Sequence, residues 1–585
     1  MNIKELNQNV NANQKDGYLS LCCYFCDLFR QENDGTKKII YKALYEVCLL
    51  QYDVIKELYK PGYKHSENSS YSLDDFSDIE LEYLENIASQ LESIILKARI
   101  YDVLWERGKV FKNAQLAIEE YKKIEINNNT FFVSAPNCLQ RLIHLAGKLL
   151  SRNPTEQKII YDKLINAIVN CNEEGYHLSI HLIDVYMGIR FMPRLSEIIC
   201  HINKCITHLT TARDAFYLAK FVETLFSLYR GSSQLSFQNL NYCADAMVEA
   251  GRMSEPMIKI KYLYRSIDYL KLISSDEKSL HKTLEKIQSI ELEIENTRPL
   301  VQLMMKPVAT APIAVKIDYD FLEQRFSTSD EDKLLELFAT LLNEFDYKKA
   351  ECEAIKQLSS SFSATFDADY LSDDGRKIAQ SQGINLCADV DPSKVLASIA
   401  NSYLPTISCS SFLYILPSLN ILHAKCNISL HKFEEIAFRN PYISLTNYKI
   451  VAAGLYAGFN YDFLTALHLL SFQLEDFVRN FLKSKGINTI AHDRDNVESE
   501  KGLSTLIKDP TFETFFGKNY TFEIAILFAE SLGANIRNNI AHGLVPYNSF
   551  KSDHYVYAWW LILKLFHAIY RKVKAYDSQS TSGNS

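Results

Sequence analysis

The segment 531–547, SLGANIRNNIAHGLVPY, gathers the side chains of this sequence that are best suited to act on a phosphodiester. The guanidinium of Arg537 keeps its positive charge and can bind two phosphate oxygens at once. The imidazole of His542 can exchange a proton near neutral pH. Together they could cleave RNA without a metal, because one side chain neutralises the phosphate and the other moves a proton to or from the 2′-hydroxyl or the leaving oxygen. Asn538 is a third catalytic candidate, and Asn539 is a candidate for binding or orienting the substrate.

Helical spacing predicts that these residues lie at the end of one helix, 523–542. Gly543 follows the last helical position and Pro546 cannot continue a helix, so we expect the helix to end at His542. Five positions at about 100° each place the side chains of Arg537 and His542 about 140° apart on an ideal helix. Their convergence on one phosphate would therefore require a distorted helix end or a second chain.

A purely structural interpretation of the same residues is also open. A cation is favoured at the C-terminal end of a helix, so His542 could serve only as a capping residue. Arg537 could pair with a carboxylate on a neighbouring helix. The segment 531–547 alone does not separate these roles from catalysis.

The pattern of Arg, Asn, three residues and His resembles the signature of HEPN domains (higher eukaryotes and prokaryotes nucleotide-binding). Many of these are metal-independent endoribonucleases of toxin–antitoxin, anti-phage and RNA-guided defence systems. The longer motif RN-x-x-AHG, preceded by ALHLLSFQLEDFVRNFLKSKGINT at 466–489, resembles an uncharacterised family with this domain at the end of a large helical protein. An animal relative of that family is the endoplasmic reticulum membrane-associated RNA degradation protein.

A second block, ARIYDVLW at 98–105, resembles the front end of the same family. Arg99 and Asp102 are three positions apart and would share one helix face, with Trp105 packing beneath. We interpret this block as structural rather than catalytic.

The resemblance to HEPN domains implies further roles and a partner chain. Two C-terminal bundles would form a homodimer in which both Arg537/His542 pairs line one cleft. An E-x-x-x-R pattern is implied to face the motif helix, so that Glu475 orients Arg537 or His542 and Arg479 contacts phosphate. Glu475 and Arg479 are also four positions apart on one predicted helix, which fits an ordinary surface ion pair equally well.

Two other polar groups could contact substrate. His492, Asp493 and Arg494 lie in a charged segment, 486–502, which we expect to be a mobile loop or simply a solvated one. Arg571, Lys572 and Lys574 near the end of the last predicted helix could attract phosphate. Cations in the last turn of a helix are also expected from its dipole alone.

Composition limits the class of protein. The formal net charge of −8 over 585 residues argues against a general polyanion binder, although 446–576 carries 14 Lys and Arg against 12 Asp and Glu, a difference of +2. The 13 cysteines are scattered and odd in number, which suits a reducing compartment. The N-terminal sequence lacks an apolar stretch, and the most apolar run, 555–570, is too short to span a bilayer. We expect a cytoplasmic protein with no membrane partner.

Apolar residues recur at helical spacing along the chain, which predicts an all-α fold. We expect an N-terminal helical domain at 1–130, an α-solenoid resembling tetratricopeptide arrays at 131–300, a helical middle segment at 316–445, a HEPN-type bundle at 446–576 and a disordered tail at 577–585. We also expect a mobile polar loop within the middle segment, at 359–383.

The resulting functional hypothesis is a regulated metal-independent endoribonuclease, a toxin or anti-phage defence effector that cleaves RNA. A protein or ligand trigger would bind the solenoid. The sequence contains no phosphate-binding glycine-rich loop, no nucleophilic serine motif and no metal-ligand cluster, so we expect no cofactor and no metal. The alternative is a non-catalytic helical scaffold that binds RNA or protein, in which Arg537 and His542 only bind phosphate or cap a helix.

Overall fold

The computed structural model describes most of the chain and shows an all-α protein, as predicted. The described residues are 3–53, 56–63, 69–126, 134–150, 153–189, 191–306, 315–372, 375–381, 383, 391–493 and 497–582. They divide into two compact units, one formed by residues up to Lys306 and the other by nearly all residues after it. The change of unit falls between Lys306 and Pro307.

The first unit is built from fifteen described helices and one hairpin. The helices are α1 Ile3–Asn13, α2 Tyr18–Gln31, α3 Gly35–Leu49, α4 Asp78–Ala88, α5 Ile94–Gly108, α6 Phe111–Lys123, α7 Ser134–Leu149, α8 Pro154–Val169, α9 Tyr176–Met187, α10 Leu195–Ala212, α11 Ala215–Gly231, α12 Phe237–Arg252, α13 Pro256–Lys271, α14 Ser275–Leu280 and α15 Thr283–Met304. Strands β1 Gln51–Asp53 and β2 Leu58–Lys60 pair antiparallel with Tyr52 opposite Tyr59. Short 3-10 turns cover Leu73–Asp75 and Glu173–Gly175.

Consecutive helices of the first unit pack against one another from α5 to α9 and from α10 to α13, and α15 packs on α13. Packing between neighbours in sequence is typical of α-solenoids. The predicted boundary at 130 does not divide this unit, because α6 packs on α7 and Arg141 of α7 forms an ion pair with Asp102 of α5. Arg99 and Asp102 are both buried, and each bonds to other partners rather than to the other.

The second unit contains twelve described helices and two hairpins. The helices are α16 Tyr319–Arg325, α17 Glu331–Ala339, α18 Tyr347–Ser360, α19 Pro392–Ser410, α20 Leu416–Lys425, α21 Leu430–Phe438, α22 Tyr448–Phe459, α23 Phe463–Ser484, α24 Leu503–Leu506, α25 Pro510–Ile524, α26 Ile536–Ala541 and α27 Asp553–Ser582. The strands are β3 Ala368–Leu371 with β4 Lys377–Ser381, and β5 Ile490–His492 with β6 Glu498–Glu500. Two π-helical turns, Ser411–Ile415 and Ala525–Ala529, and two 3-10 turns, Phe362–Thr365 and Tyr547–Lys551, complete the list.

Helix α27 forms the centre of the second unit. It packs against α17, α19, α21, α22 and α23, and it buries Trp559 and Trp560 completely. The indole of Trp559 donates a hydrogen bond of 3.1 Å to the Leu455 carbonyl, and that of Trp560 donates one of 2.9 Å to the Phe338 carbonyl. Gly458 makes room for this helix, since a Cβ there would lie 2.2 Å from Nε1 of Trp559.

The structure of the second unit differs from three expectations. The predicted boundary between 445 and 446 is wrong as a division between compact units, because α27 packs against helices from both sides of it. The described part of 359–383 contains the hairpin β3–β4 instead of only a loop. Helix α27 continues to Ser582, into the segment expected to be disordered.

One described helical stretch, Pro392–Lys425, is long and apolar enough to cross a membrane by length and composition alone. It spans α19, the π turn Ser411–Ile415 and α20, and it packs against α27 and α18. A single stretch of this kind is weak evidence for a membrane span and is compatible with a soluble protein.

Candidate active site

The predicted motif helix 523–542 is broken in the structure. Helix α25 ends at Ile524, the π turn Ala525–Ala529 follows, and the short helix α26 starts only at Ile536. The prediction of one continuous helix is therefore wrong. The break is stabilised by backbone bonds from Glu530 N–H to the Ala525 carbonyl at 2.8 Å and from Ala534 N–H to the Ile526 carbonyl at 3.0 Å.

Two residues allow the chain to turn between the π turn and α26. A Cβ on Gly533 would lie 1.8 Å from the Ile526 carbonyl oxygen, so this close approach of two backbone segments requires glycine. Asn535 adopts the left-handed conformation, with φ 47° and ψ 37°, immediately before α26. Asparagine tolerates that conformation better than most residues.

The predicted stop at Gly543 is confirmed. Gly543 has a φ of 65°, and its N–H bonds to the Ile540 carbonyl at 3.0 Å. The N–H of Leu544 bonds to the Asn539 carbonyl at 2.9 Å, which completes a Schellman ending. His542 is thereby fixed as the last residue before the chain leaves the helix.

Glu475 of α23 connects the two helices that carry the candidate residues. Its carboxylate forms an ion pair of 2.9 Å with Nη2 of Arg537 and accepts a hydrogen bond of 2.8 Å from Nη2 of Arg479. It also accepts a bond of 3.2 Å from the N–H of Leu503, the first residue of α24. The side chains of Glu475 and Arg537 are 12% and 25% exposed, so this cluster is only partly accessible to water. The predicted contact between Glu475 and Arg537 is present.

Arg537 has further contacts that hold its guanidinium in place. It lies over the ring of Phe472, 5.7 Å from the ring centre, and Nη1 donates a hydrogen bond of 3.1 Å to the side chain of Asn538. Its Nε is buried and makes no hydrogen bond to any described residue. The guanidinium is thus held by Glu475, Phe472 and Asn538 together.

The two asparagines act mainly on the local backbone. Asn538 donates a hydrogen bond of 2.8 Å to the side chain of Asn535, and Asn539 donates one of 3.1 Å to the Ala534 carbonyl. Both bonds tie α26 to the turn that precedes it. Their predicted roles toward substrate, catalytic for Asn538 and orienting for Asn539, stay predictions.

His542 is exposed, and its side chain forms no hydrogen bond or ion pair with the described residues. Arg537 faces α23, whereas His542 is the residue that ends α26 at its other end. The structure thus brings Arg537, Glu475 and Arg479 together and leaves His542 outside that bonded cluster. Arg537 and His542 are about one and a half helical turns apart, and their side chains point in different directions, as expected for this spacing.

The charged segment 486–502 forms a hairpin where its residues are described. His492 of β5 pairs with Glu498 of β6, and the Asp493 side chain accepts a 2.8 Å bond from the N–H of Val497. Arg494 lies outside the described residues. The prediction that 486–502 is a loop is therefore wrong for the paired residues, although His492 itself is exposed.

Glu500 of the hairpin extends the cluster, and sequence reasoning missed it. One carboxylate oxygen lies 3.2 Å from Nε of Arg479, and the other accepts a bond of 2.9 Å from Lys483. The hydrogen bond from Lys483, with the nearby charge of Arg479, holds the pKa of Glu500 below its ordinary value. Phe472 was missed as well, and its position three residues before Glu475 on the same helix face was the available signal.

The cations near the end of α27 are not an open phosphate patch. Arg571 pairs with Glu336 of α17, and Lys574 pairs with Asp332 at 2.9 Å. The helix continues beyond them, so they are not last-turn cations either. Lys572 alone of the three is exposed without such a pair to a described residue.

No group of three or more His, Cys, Asp and Glu side chains that could hold a metal ion occurs among the described residues. The cluster therefore offers the guanidinium groups of Arg479 and Arg537 and the carboxylate of Glu475 that they share. The exposed imidazole of His542 lies outside it.

Comparison with known proteins finds a similarity in one part of the first unit. Residues 4–158 match the family described as Domain of unknown function (DUF7380). No curated protein and no solved structure matches the chain. The matched residues include Arg99 and Asp102, whereas Glu475, Arg537 and His542 lie outside them.

Proposed function

We propose that the protein is a cytoplasmic, HEPN-type endoribonuclease that uses Arg537 and His542, without a metal or another cofactor, to cleave RNA. The observation that carries the proposal is the ion pair of 2.9 Å between Glu475 and Arg537, which fixes the guanidinium of Arg537 on the same short helix that His542 ends. Its regulated biological role would be that of a toxin or an anti-phage defence effector.

In the proposed reaction, Arg537 binds a phosphate oxygen of the RNA and neutralises the charge that develops on the phosphorus. His542 takes the proton from the 2′-hydroxyl, whose oxygen attacks the adjacent phosphorus. The bond from phosphorus to the 5′-oxygen breaks, and that oxygen takes a proton from water, while the proton held by His542 passes to the solvent. The products are a 2′,3′-cyclic phosphate and a 5′-hydroxyl. Glu475 acts as a positioning residue, and Arg479 offers a second contact to phosphate.

A second copy of the chain would complete the site. Arg537 and His542 diverge on α26, so a two-fold pair of motif helices would place the Arg537 of one copy near the His542 of the other. Leu544 and Tyr547, which directly follow the motif, are 46% and 67% exposed. In this arrangement they would lie at the surface between the two copies. We therefore propose a homodimer through the C-terminal bundle.

Mixing two inactive variants tests this arrangement. If each site takes Arg537 from one chain and His542 from the other, then Arg537→Ala and His542→Ala chains that are unfolded and refolded together regain RNA cleavage. If both residues act from the same chain, the mixture stays as inactive as its components, and the two-chain site is wrong.

A growth assay tests the nuclease proposal in cells. We expect expression of the wild-type chain to arrest growth, and His542→Ala to abolish the arrest at equal protein level. His431→Ala is the matched control, because His431 is an exposed histidine of α21, outside the motif. Arrest that persists in His542→Ala would contradict the proposed role of His542.

The non-catalytic scaffold remains the second candidate function. It is favoured by the engagement of Arg537 with Glu475, Asn538 and Phe472, which would suit a structural arginine. The consecutive helix packing of the first unit also fits a surface that binds a protein or ligand trigger. RNA binding that persists in His542→Ala while the wild type cleaves nothing would favour this function.

A further inference from the structure

A cavity of about 440 Å³ lies in the first unit. It is lined by residues of α2, the end of α3, the hairpin β1–β2, α5 and α7. This volume is within the range of sites that bind small molecules. Two buried arginines, Arg99 and Arg141, form part of its lining, together with the rings of Tyr18, Tyr52 and Tyr59.

Arg141 has carboxylate partners inside the protein. Its Nε and Nη2 donate to the fully buried Asp102 at 2.8 and 2.7 Å, and Nη2 also donates to Glu106 at 2.5 Å. The hydroxyls of Tyr59 and Tyr121 donate to the same Asp102 oxygen at 2.5 and 3.2 Å. The positive charge of Arg141 is thus balanced, although its buried Nη1 has no hydrogen-bond partner in the part of the chain that the structure describes.

Arg99 differs, because no described carboxylate pairs with it. Its Nη1 donates a hydrogen bond of 2.7 Å to the Leu50 carbonyl, and its guanidinium stacks on Tyr18 at 4.1 Å and near Tyr59 at 5.2 Å. Its Nε is buried without a hydrogen-bond partner among the described residues, and only 6% of Arg99 is exposed. A guanidinium keeps its positive charge in proteins because it does not lose its proton. Burying it without a counter-charge is therefore unfavourable.

We propose that this cavity binds a small organic anion, whose carboxylate or phosphate group pairs with Arg99. Arginine is suited to such groups because its planar fork can bond two oxygens at once. The amide side chains of Gln51, Asn137 and Gln140 also line the cavity and supply donors and acceptors for the uncharged part of the ligand. The volume fits a molecule of about the size of a nucleoside monophosphate. This site is independent of the proposed nuclease site.

Titration calorimetry of the full chain tests the proposal with adenosine 5′-monophosphate, guanosine 5′-monophosphate, citrate and glutamate, and with uncharged adenosine as the reference. We expect at least one anion to bind and adenosine not to bind. Binding by the nucleotides alone assigns a phosphate ligand, and binding by citrate or glutamate alone assigns a carboxylate ligand. Failure of all four anions to bind, or equal binding of adenosine, would overturn the proposal.

Two variants locate the bound anion. Arg99→Met removes the charge and should weaken binding about 10-fold or more. Gln140→Glu leaves the buried network intact and adds a repelling carboxylate to the cavity wall, so it should also weaken binding about 10-fold. Gln234→Glu is the matched control, since Gln234 is exposed in the same unit but outside the cavity lining. Unchanged affinity in a folded Gln140→Glu variant would place the anion elsewhere and overturn the assignment, even if Arg99→Met does not fold.

Discussion

At the scale of single residues, Glu475 is the side chain on which the candidate site depends most. It contacts Arg537, Arg479 and the start of α24. The resemblance to HEPN domains and the helical spacing of Glu475 and Arg479 predict a role for Glu475 from the sequence. They did not reveal Phe472 or Glu500, because both contacts depend on how the motif segment and the hairpin fold back onto α23.

Replacing Glu475 by glutamine should lower RNA cleavage about 100-fold, because a displaced Arg537 no longer meets the phosphate. The loss of its charge-assisted hydrogen bonds should also lower the free energy of unfolding by about 1–3 kcal/mol. Cleavage kinetics and chemical denaturation measure the two effects. Glu353→Gln, on the exposed side of α18, is the control. Unchanged kinetics in Glu475→Gln would remove Glu475 from the site.

Glu523 provides a second test at this scale, through pH. It is buried, and one carboxylate oxygen accepts hydrogen bonds from Tyr403 at 2.6 Å and Tyr557 at 2.7 Å. Burial raises the pKa of Glu523 above its ordinary value, although the two tyrosines and nearby Lys564 act in the opposite direction. A raised folded-state pKa means that stability is fully present below the unfolded pKa and is lost as the pH rises through the folded one.

We therefore expect Glu523→Gln, which keeps an acceptor for both hydroxyls, to gain stability relative to the wild type as the pH rises from about 5 to about 8. Urea denaturation across that range measures the difference. A difference that stays constant, or that shrinks with rising pH, would show that Glu523 does not titrate as its burial implies.

At the scale of elements, the break between α25 and α26 determines where the motif points. The sequence predicted the end of the motif helix correctly, because Gly543 and Pro546 are strong local signals. It did not predict the break at 525–535, because the apolar residues of this segment continue at helical spacing. The turn depends instead on a contact within the fold, between Gly533 and the Ile526 carbonyl.

The two glycines that flank α26 should respond differently to substitution. Gly533→Ala should destabilise the second unit by about 1–3 kcal/mol and lower cleavage, because its Cβ collides with the Ile526 carbonyl and displaces α26. Gly543→Ala meets open space and should cost only about 1 kcal/mol for its left-handed backbone. Gly543→Asn should cost less than Gly543→Ala. Equal effects of Gly533→Ala and Gly543→Ala on the thermal midpoint would contradict this account.

At the scale of the whole molecule, the all-α class could be predicted, but the number of compact units could not. Repeating apolar spacing indicates helices. The merger of 316–445 with 446–576 depends on α27, which packs against helices from both segments. A core shared by distant segments cannot be predicted from the spacing of residues within any one segment.

Two compact units should unfold in two calorimetric transitions. Asp102→Asn removes the buried partner of Arg141 and should shift only the transition of the first unit, by an amount equivalent to about 3–5 kcal/mol. Gly458→Ala places a Cβ against Trp559 and should shift only the transition of the second unit. A single transition that moves in both variants would contradict the division.

The central claim is that Arg537 and His542 cleave RNA, and its most direct test is incubation of the purified chain with total RNA in EDTA. We predict cleavage by the wild type that leaves 2′,3′-cyclic phosphate ends, and a loss of about 100-fold or more in both Arg537→Ala and His542→Ala, with the helical circular dichroism unchanged. Cleavage that survives both substitutions would contradict the claim.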